Sequence, residues 1–328
     1  MSVEEAVSGG VKELGLRFNL VGLLPTSALV LFVLALVSTG GVGGAPDLSK
    51  IPADLSATQI IEFVLLILLV SLILYPFQLS MVRILEGYAW ETTRFGDALS
   101  AVGVELQRRR LERLQNVAYR TAITPDEKRR QWRALATANA YYPDDPYALL
   151  PTRLGNALRA AEDRAGQRYG LDTNTMMPRL YPYLSTTLTE ALTDQRNHLD
   201  IAVRLHITLL LGTLISGSML AGDGWWITVP IATAVLAWVA YRAAVQAAVS
   251  YGRMLYVAFD LHRFDMLQGL HYPLPDRTTE VAFNEDLSAF LRGEIDTLPT
   301  RYPYEHPDQT QGPRSWRSCG CYCIHSVG

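Results

Sequence analysis

The chain has 328 residues, 49% of them apolar, with 29 basic against 32 acidic side chains and a net charge of −3. That balance excludes the strongly basic footprint of a nucleic-acid-binding protein. The apolar share, gathered into four blocks at 18–38, 63–82, 205–221 and 225–249, excludes a disordered chain; each block is close to the roughly 20 residues that carry a helix across a hydrocarbon core about 30 Å thick.

The first block follows Lys12 and Arg17 and is longer than the roughly 7 to 15 apolar residues of a cleaved signal sequence, so a retained membrane helix is expected. The connection after it, GGVGGAPDLSKIPADLS, lacks the Lys-Ser/Thr ending of a phosphate cradle and reads as an external loop. In the second block Pro76 removes a backbone donor and predicts a kink, and Glu62 sits at the outer edge of the span.

Residues 86–200 read as helical throughout. Thr124, Pro125, Asp126 and Glu127 spell a capping box with proline at the first helical position, and YYPDDP breaks the chain before the next helix. That helix starts at Pro151 and Thr152. Leu154, Leu158, Ala161, Ala165 and Tyr169 line one face of it, Arg159 stands three and four residues before Glu162 and Asp163, and Gly170 closes it. It is expected to dock on cytoplasmic stalks or on the membrane surface. Arg108, Arg109 and Arg110 offer a place for anionic headgroups, or simply a solvated face.

The third block is preceded without a breaker by STTLTEALTDQRNHLDIAVR, and the fourth continues through MLYVAFDLHRFDMLQGLHYP to about Gly269. Both are therefore expected to project into the cytoplasm as stalks. Only AGDGWW joins the two blocks, which predicts an antiparallel hairpin with Trp225 and Trp226 in the outer aromatic belt. Ala240, Ala244, Ala248 and Gly252 recur every four residues, a seam on which another helix can approach closely, within the unit or between subunits. Residues 300–328 lack apolar periodicity and read as a disordered tail.

Charge sets the orientation. Of the basic residues, only Lys50 lies in the two connections opposite the central region, so the positive-inside tendency puts both termini and residues 86–200 in the cytoplasm. Arginine outnumbers lysine 26 to 3, a bias that fits a GC-rich bacterial genome, and a bacterial inner membrane is the expected location. The fold expected is an all-α integral membrane protein with four transmembrane helices in two hairpins. Residues 1–85 form the first hairpin, 86–200 the cytoplasmic insertion, 201–270 the second hairpin with its stalk, and 271–328 a largely disordered cytoplasmic tail.

Chemistry is harder to read. Asp194 and His198 on one stalk, with His262 and Asp265 on the other, have the carboxylate and imidazole types that hold divalent metals in bundles; the competing reading is a salt-bridged surface with Arg196 and Arg204. Cys319, Cys321, Cys323 and His325 alternate too closely for a usual structural zinc site. There is no Gly-x-Ser-x-Gly elbow, no His-Glu-x-x-His and no dinucleotide fingerprint, so neither a catalytic residue nor a cofactor is assigned. The membrane interiors carry almost no ionisable groups, which disfavours an ion-coupled carrier. Thr208, Thr213 and Ser216 leave open a channel made by a homo-oligomer.

At Pro151 to Asn156, Arg159 to Glu162, Tyr169 to Asp172 and Pro178 to Leu180, the pattern PTRLGN, RAAE, YG-x-D and PRL resembles a group of bacterial multi-pass membrane proteins of unassigned chemistry. The resemblance covers about 30 residues and implies kinship but no activity. It marks Arg153, Asn156, Arg159 and Glu162 as the polar positions to examine first. The expectation is a non-enzymatic protein of the lipid bilayer whose cytoplasmic helical module binds a protein partner, senses a signal or gates the assembly; an oligomeric ion channel and a membrane-bound metal-dependent enzyme are the alternatives.

Overall fold

The computed structural model describes residues 23–40, 46, 47, 49, 56–88, 90, 93–220, 222 and 224–296, and every regular element among them is helical. Length and composition make three helices able to cross a membrane: α2 (Ala57–Leu74), α8 (Thr186–Leu220) and α9 (Thr228–Gly269) with the turn before it. α1 (Leu24–Ser38) is apolar but shorter, and residues 18–22 of the first block lie outside the described residues. α2 buries only Ser71. A helix so apolar on all sides is stable only in a nonpolar surrounding. At Pro76 a 3₁₀ turn, Tyr75–Phe77, replaces the α-helix, and α3 (Gln78–Glu86) carries the chain onward.

The two longest helices run antiparallel in a register set by their side chains. Ser185 N–H donates to His262 Nε2 at 3.4 Å, Arg196 stands over the Tyr251 ring at 6.0 Å, His206 and Tyr241 rings are 5.3 Å apart, and the Thr213 hydroxyl reaches that of Thr233 at 3.0 Å. α1 lies against α8 where Gly212 leaves room for Phe32 and Leu29. Arg204, only 1% exposed, donates from Nη2 to the Thr26 hydroxyl at 3.0 Å. Residues 205–220 and 225–241 are free of charge and run about 25 Å each at 1.5 Å per residue. The uncharged run of α9 therefore ends at Arg242, whose guanidinium lies 5.3 Å from the Trp238 ring, rather than at residue 249.

The seam begins at that level, with Ala240, and runs beyond it. Ala240, Ala244, Ala248 and Gly252 are all buried, and Ala244 and Ala248 pack with Leu154, Ala157 and Leu158 of α6 (Arg153–Gln167) and with Leu199 and Val203 of α8. A Cβ at Gly252 would come within 2.5 Å of the Ala161 Cβ, so only glycine admits α6 so close to the stalk. The seam thus seats α6 within one chain. Thr152 caps α6 by accepting from Gly155 N–H at 2.9 Å, as the sequence led one to expect.

α7 (Thr173–Leu180) and α10 (Glu280–Arg292) close the far end of the stalks around Met176, Leu180, Phe259, Met266, Leu267, Phe283 and Leu287. Within 271–328, expected to be largely disordered, the stretch 280–292 is a packed helix, because Phe283 and Leu287, one turn apart, both find the core, and Gly293 in the left-handed conformation ends it. Asn284 fixes it by donating to the Tyr169 carbonyl at 2.7 Å, and Arg263 pairs with Glu280 at 2.7 Å. Residues 297–328, with the three cysteines and His325, lie outside the described residues.

α4 (Arg94–Ala118) and α5 (Pro125–Tyr141) form a hairpin at the side. The capping box at Thr124 and Glu127 is present. Leu111, Ala138, Tyr142 and Leu149 make its small core.

Candidate functional site

The polar residues of the PTRLGN motif divide into fasteners and lining. Asn156, fully buried, accepts from Leu150 N–H at 2.8 Å and donates to the carbonyls of Leu150 and Thr152 at 2.7 and 2.8 Å, so it clamps the turn that starts α6. The Thr152 hydroxyl donates to the Glu86 carbonyl at 3.1 Å, and that carbonyl lies where a Cβ on Gly155 would stand, 2.2 Å away. The end of α3 is thereby stapled to the start of α6. Leu154 N–H donates to the Tyr241 hydroxyl at 3.3 Å, and Arg153 covers the Tyr141 ring at 4.2 Å.

One turn further along α6, Arg159 pairs with Asp163 at 3.0 Å and shares a hydrogen bond with Tyr88. Glu162, beside Arg159 and Asp163, also lines a cavity of about 280 Å³ bounded by α3, α6, α7, α8 and α9. Glu86, Glu162, Asn174, Tyr181, Arg196 and Tyr251 supply its polar wall, and Leu158, Met177, Pro178 and Leu255 the apolar one. Burial pushes the Glu86 carboxyl above the usual carboxylate range, the negative charge of Glu162 adds to this, and Arg196 opposes it. Burial likewise raises Glu162, against the pull of Arg159 and a hydrogen bond from Asn174. Burial of both carboxyl groups and the charge of Glu162 beside Glu86 act against ionisation, and the guanidinium groups of Arg196 and Arg159 act for it. The cavity thus sets two carboxyl groups and one guanidinium at the point where the end of α3 meets α6 and the two long helices α8 and α9.

A larger cavity of about 600 Å³ lies on the opposite side of α6, between α5 and α9, floored by Ala136, Ala140, Ala157, Ala161, Ala165 and Gly252. Its charges are mostly committed. Arg164 binds the Asp144 carboxylate and the carbonyls of Asn139 and Tyr142, and that hydrogen bonding holds Asp144 below its ordinary value. Asp260 accepts from the Tyr169 hydroxyl at 2.6 Å and pairs with Arg168 at 3.7 Å.

The stalk quartet is not gathered. His262 binds Asp265 at 2.9 Å through Nδ1 and accepts from Ser185 through Nε2, so both ring nitrogens are engaged. The register that sets Ser185 beside His262 and Arg196 beside Tyr251 places Asp194 and His198 nine or more residues further along the hairpin, on the order of 13 Å. Asp194 and His198 are exposed. Among the described residues no group of three His, Cys, Asp or Glu side chains is placed to hold a metal ion.

Sequence reasoning found Glu162 but not its neighbours. Glu86, Asn174, Arg196 and Tyr251 are distant in the chain and carry no motif; Arg196 was legible only as part of a charged surface, and it does pair with Asp200 at 3.4 Å. Comparison with family models, with curated proteins and with solved structures finds no match to this chain.

Proposed function

We propose that the chain is a non-enzymatic multi-pass membrane protein whose cytoplasmic helical module senses a condition, or binds a partner, at the cytoplasmic face and passes the response to its membrane helices. The observation that carries this reading is the seat of α6. It is wedged against the continuations of two long apolar helices and stapled to the helix that follows a third, so a change in the Glu86 and Glu162 cavity acts on all three together. We also propose kinship with the bacterial membrane proteins that share the PTRLGN pattern, four spans counting α1, and a bacterial inner-membrane location with both termini cytoplasmic. The placement of basic residues supports the orientation.

The test is the native mass of the purified protein in lipid nanodiscs, with metal content read from the same spectrum and ion flux measured in liposomes. A metal-free monomer or dimer without flux is the expected result. A ring of several subunits that conducts ions favours the channel instead, and stoichiometric metal favours the enzyme.

A further inference from the structure

The first half of α4 carries an apolar stripe that nothing in the described chain covers. Phe95, Leu99, Val102 and Leu106, spaced by four, three and four residues, are 80%, 45%, 58% and 51% exposed. The adjoining stripe, Gly96, Ser100, Gln107 and Leu111, is the one that packs inward. A helix thus exposes a continuous apolar face about three turns long, which a soluble surface rarely does.

Where that face lies identifies what it meets. Gly103 abuts Pro151, at 2.6 Å from a Cβ built on the glycine, and Gly87 at the end of α3 abuts the same ring. Pro151 opens the turn into α6, whose Leu154 is bonded to Tyr241, the last residue of the uncharged run of α9 before Arg242. The link from α3 to α4 is equally short: the Trp90 indole donates to the Ile84 carbonyl at 2.9 Å, and the Trp90 carbonyl occupies the place of a Gly96 side chain. The start of α4 therefore stays at the level where the membrane helices leave the hydrocarbon. The helix carries five arginines against three acids, with Arg94 at one end of the stripe and Arg108, Arg109 and Arg110 at the other, all exposed.

We infer that α4 lies in the cytoplasmic interface of the bilayer, with Phe95, Leu99, Val102 and Leu106 set into the headgroup and acyl boundary and the arginines on anionic headgroups. An amphipathic helix with bulky apolar residues on one face and arginine beside them binds an anionic lipid surface in this way. Through Pro151 the same lipid contact braces the joint between α3 and α6. This goes beyond the proposed function, which concerns what the module does rather than what it rests on.

The test uses the full chain in nanodiscs containing anionic lipid, with Cys319, Cys321 and Cys323 replaced by serine. Nitroxide labels go at Leu99→Cys and Val102→Cys, and at Gln115→Cys as a control on the exposed far half of α4. The two stripe labels are expected to be more accessible to oxygen than to a water-soluble nickel chelate, with the ratio reversed at Gln115. Replacing Arg108, Arg109 and Arg110 by glutamine is expected to shift the stripe labels toward the water. Stripe labels as open to nickel as the control, or spin–spin broadening that vanishes on dilution with unlabelled protein, which marks a second copy on this face, would overturn the inference. The labelled sites are exposed, so an unchanged circular dichroism spectrum confirms that the fold is intact in each variant.

Discussion

α6 and α4 are both amphipathic helices of the stretch between the second and third apolar blocks, and they spend their apolar faces in opposite ways. α6 buries Leu154, Ala157, Leu158, Ala161 and Ala165 almost completely, while α4 leaves Phe95, Leu99, Val102 and Leu106 outside. Side-chain size separates them. The face of α6 is mainly alanine and meets a seam of alanine and glycine on α9, so two backbones approach closely and dispersion contacts are dense. The stripe on α4 is bulky and meets no seam. A small-residue face in this molecule marks a contact the chain makes with itself, whereas a bulky exposed face marks one it makes with its surroundings.

The sharpest way to break that comparison is to truncate a side chain on each helix. Leu158→Ala removes a fully packed leucine and is expected to cost about 2–5 kcal/mol of stability in denaturant unfolding followed by circular dichroism. Gly252→Val attacks the seam from the other side; overpacking against Ala161 is expected to cost about 1–3 kcal/mol and to speed amide exchange across residues 153–167. Asn156→Ala leaves the buried backbone groups of Leu150 without partners and is expected to cost about 1–3 kcal/mol, read from the same unfolding curves.

A smaller effect belongs to the cavity. The folded pKa of Glu86 and of Glu162 lies above the ordinary value of 4.5, so the native state binds more protons than the unfolded chain as pH rises from there to the raised value. Stability should accordingly fall as pH rises through that window and level off above it. In Glu162→Gln the fall should be shallower and stability at neutral pH higher; an unchanged pH profile would falsify the assignment of that carboxyl to the cavity. Smallest of all, Leu99→Ala should stay within about 0.5 kcal/mol of the parent in detergent unfolding, because its side chain packs against little protein.

Local and periodic features were legible in the sequence. Hydropathy set the long helices, Thr124 with Glu127 and Thr152 set two helix starts, and the unbroken stretch to Gly269 set the length of α9. Long-range pairing was not. Glu86 and Glu162 are 76 residues apart and meet because Gly155 lets the end of α3 touch α6, a contact that a single glycine in a motif does not announce. The stalk quartet failed for the complementary reason: spacing within each helix suits a metal, but the hairpin register, which no local pattern encodes, staggers the two halves. α10 carried a readable signal in Phe283, Leu287 and Gly293 that the polar composition of the residues around it obscured.

The account stands on α6 being one packed body with the stalk, and amide hydrogen exchange of the full chain in nanodiscs tests that most directly. Residues 153–167 should be protected to the same degree as residues 244–260 of α9, against which they lie. Rapid exchange across 153–167 while 244–260 remain protected would contradict the account, since a loosely tethered α6 can transmit nothing to the membrane helices.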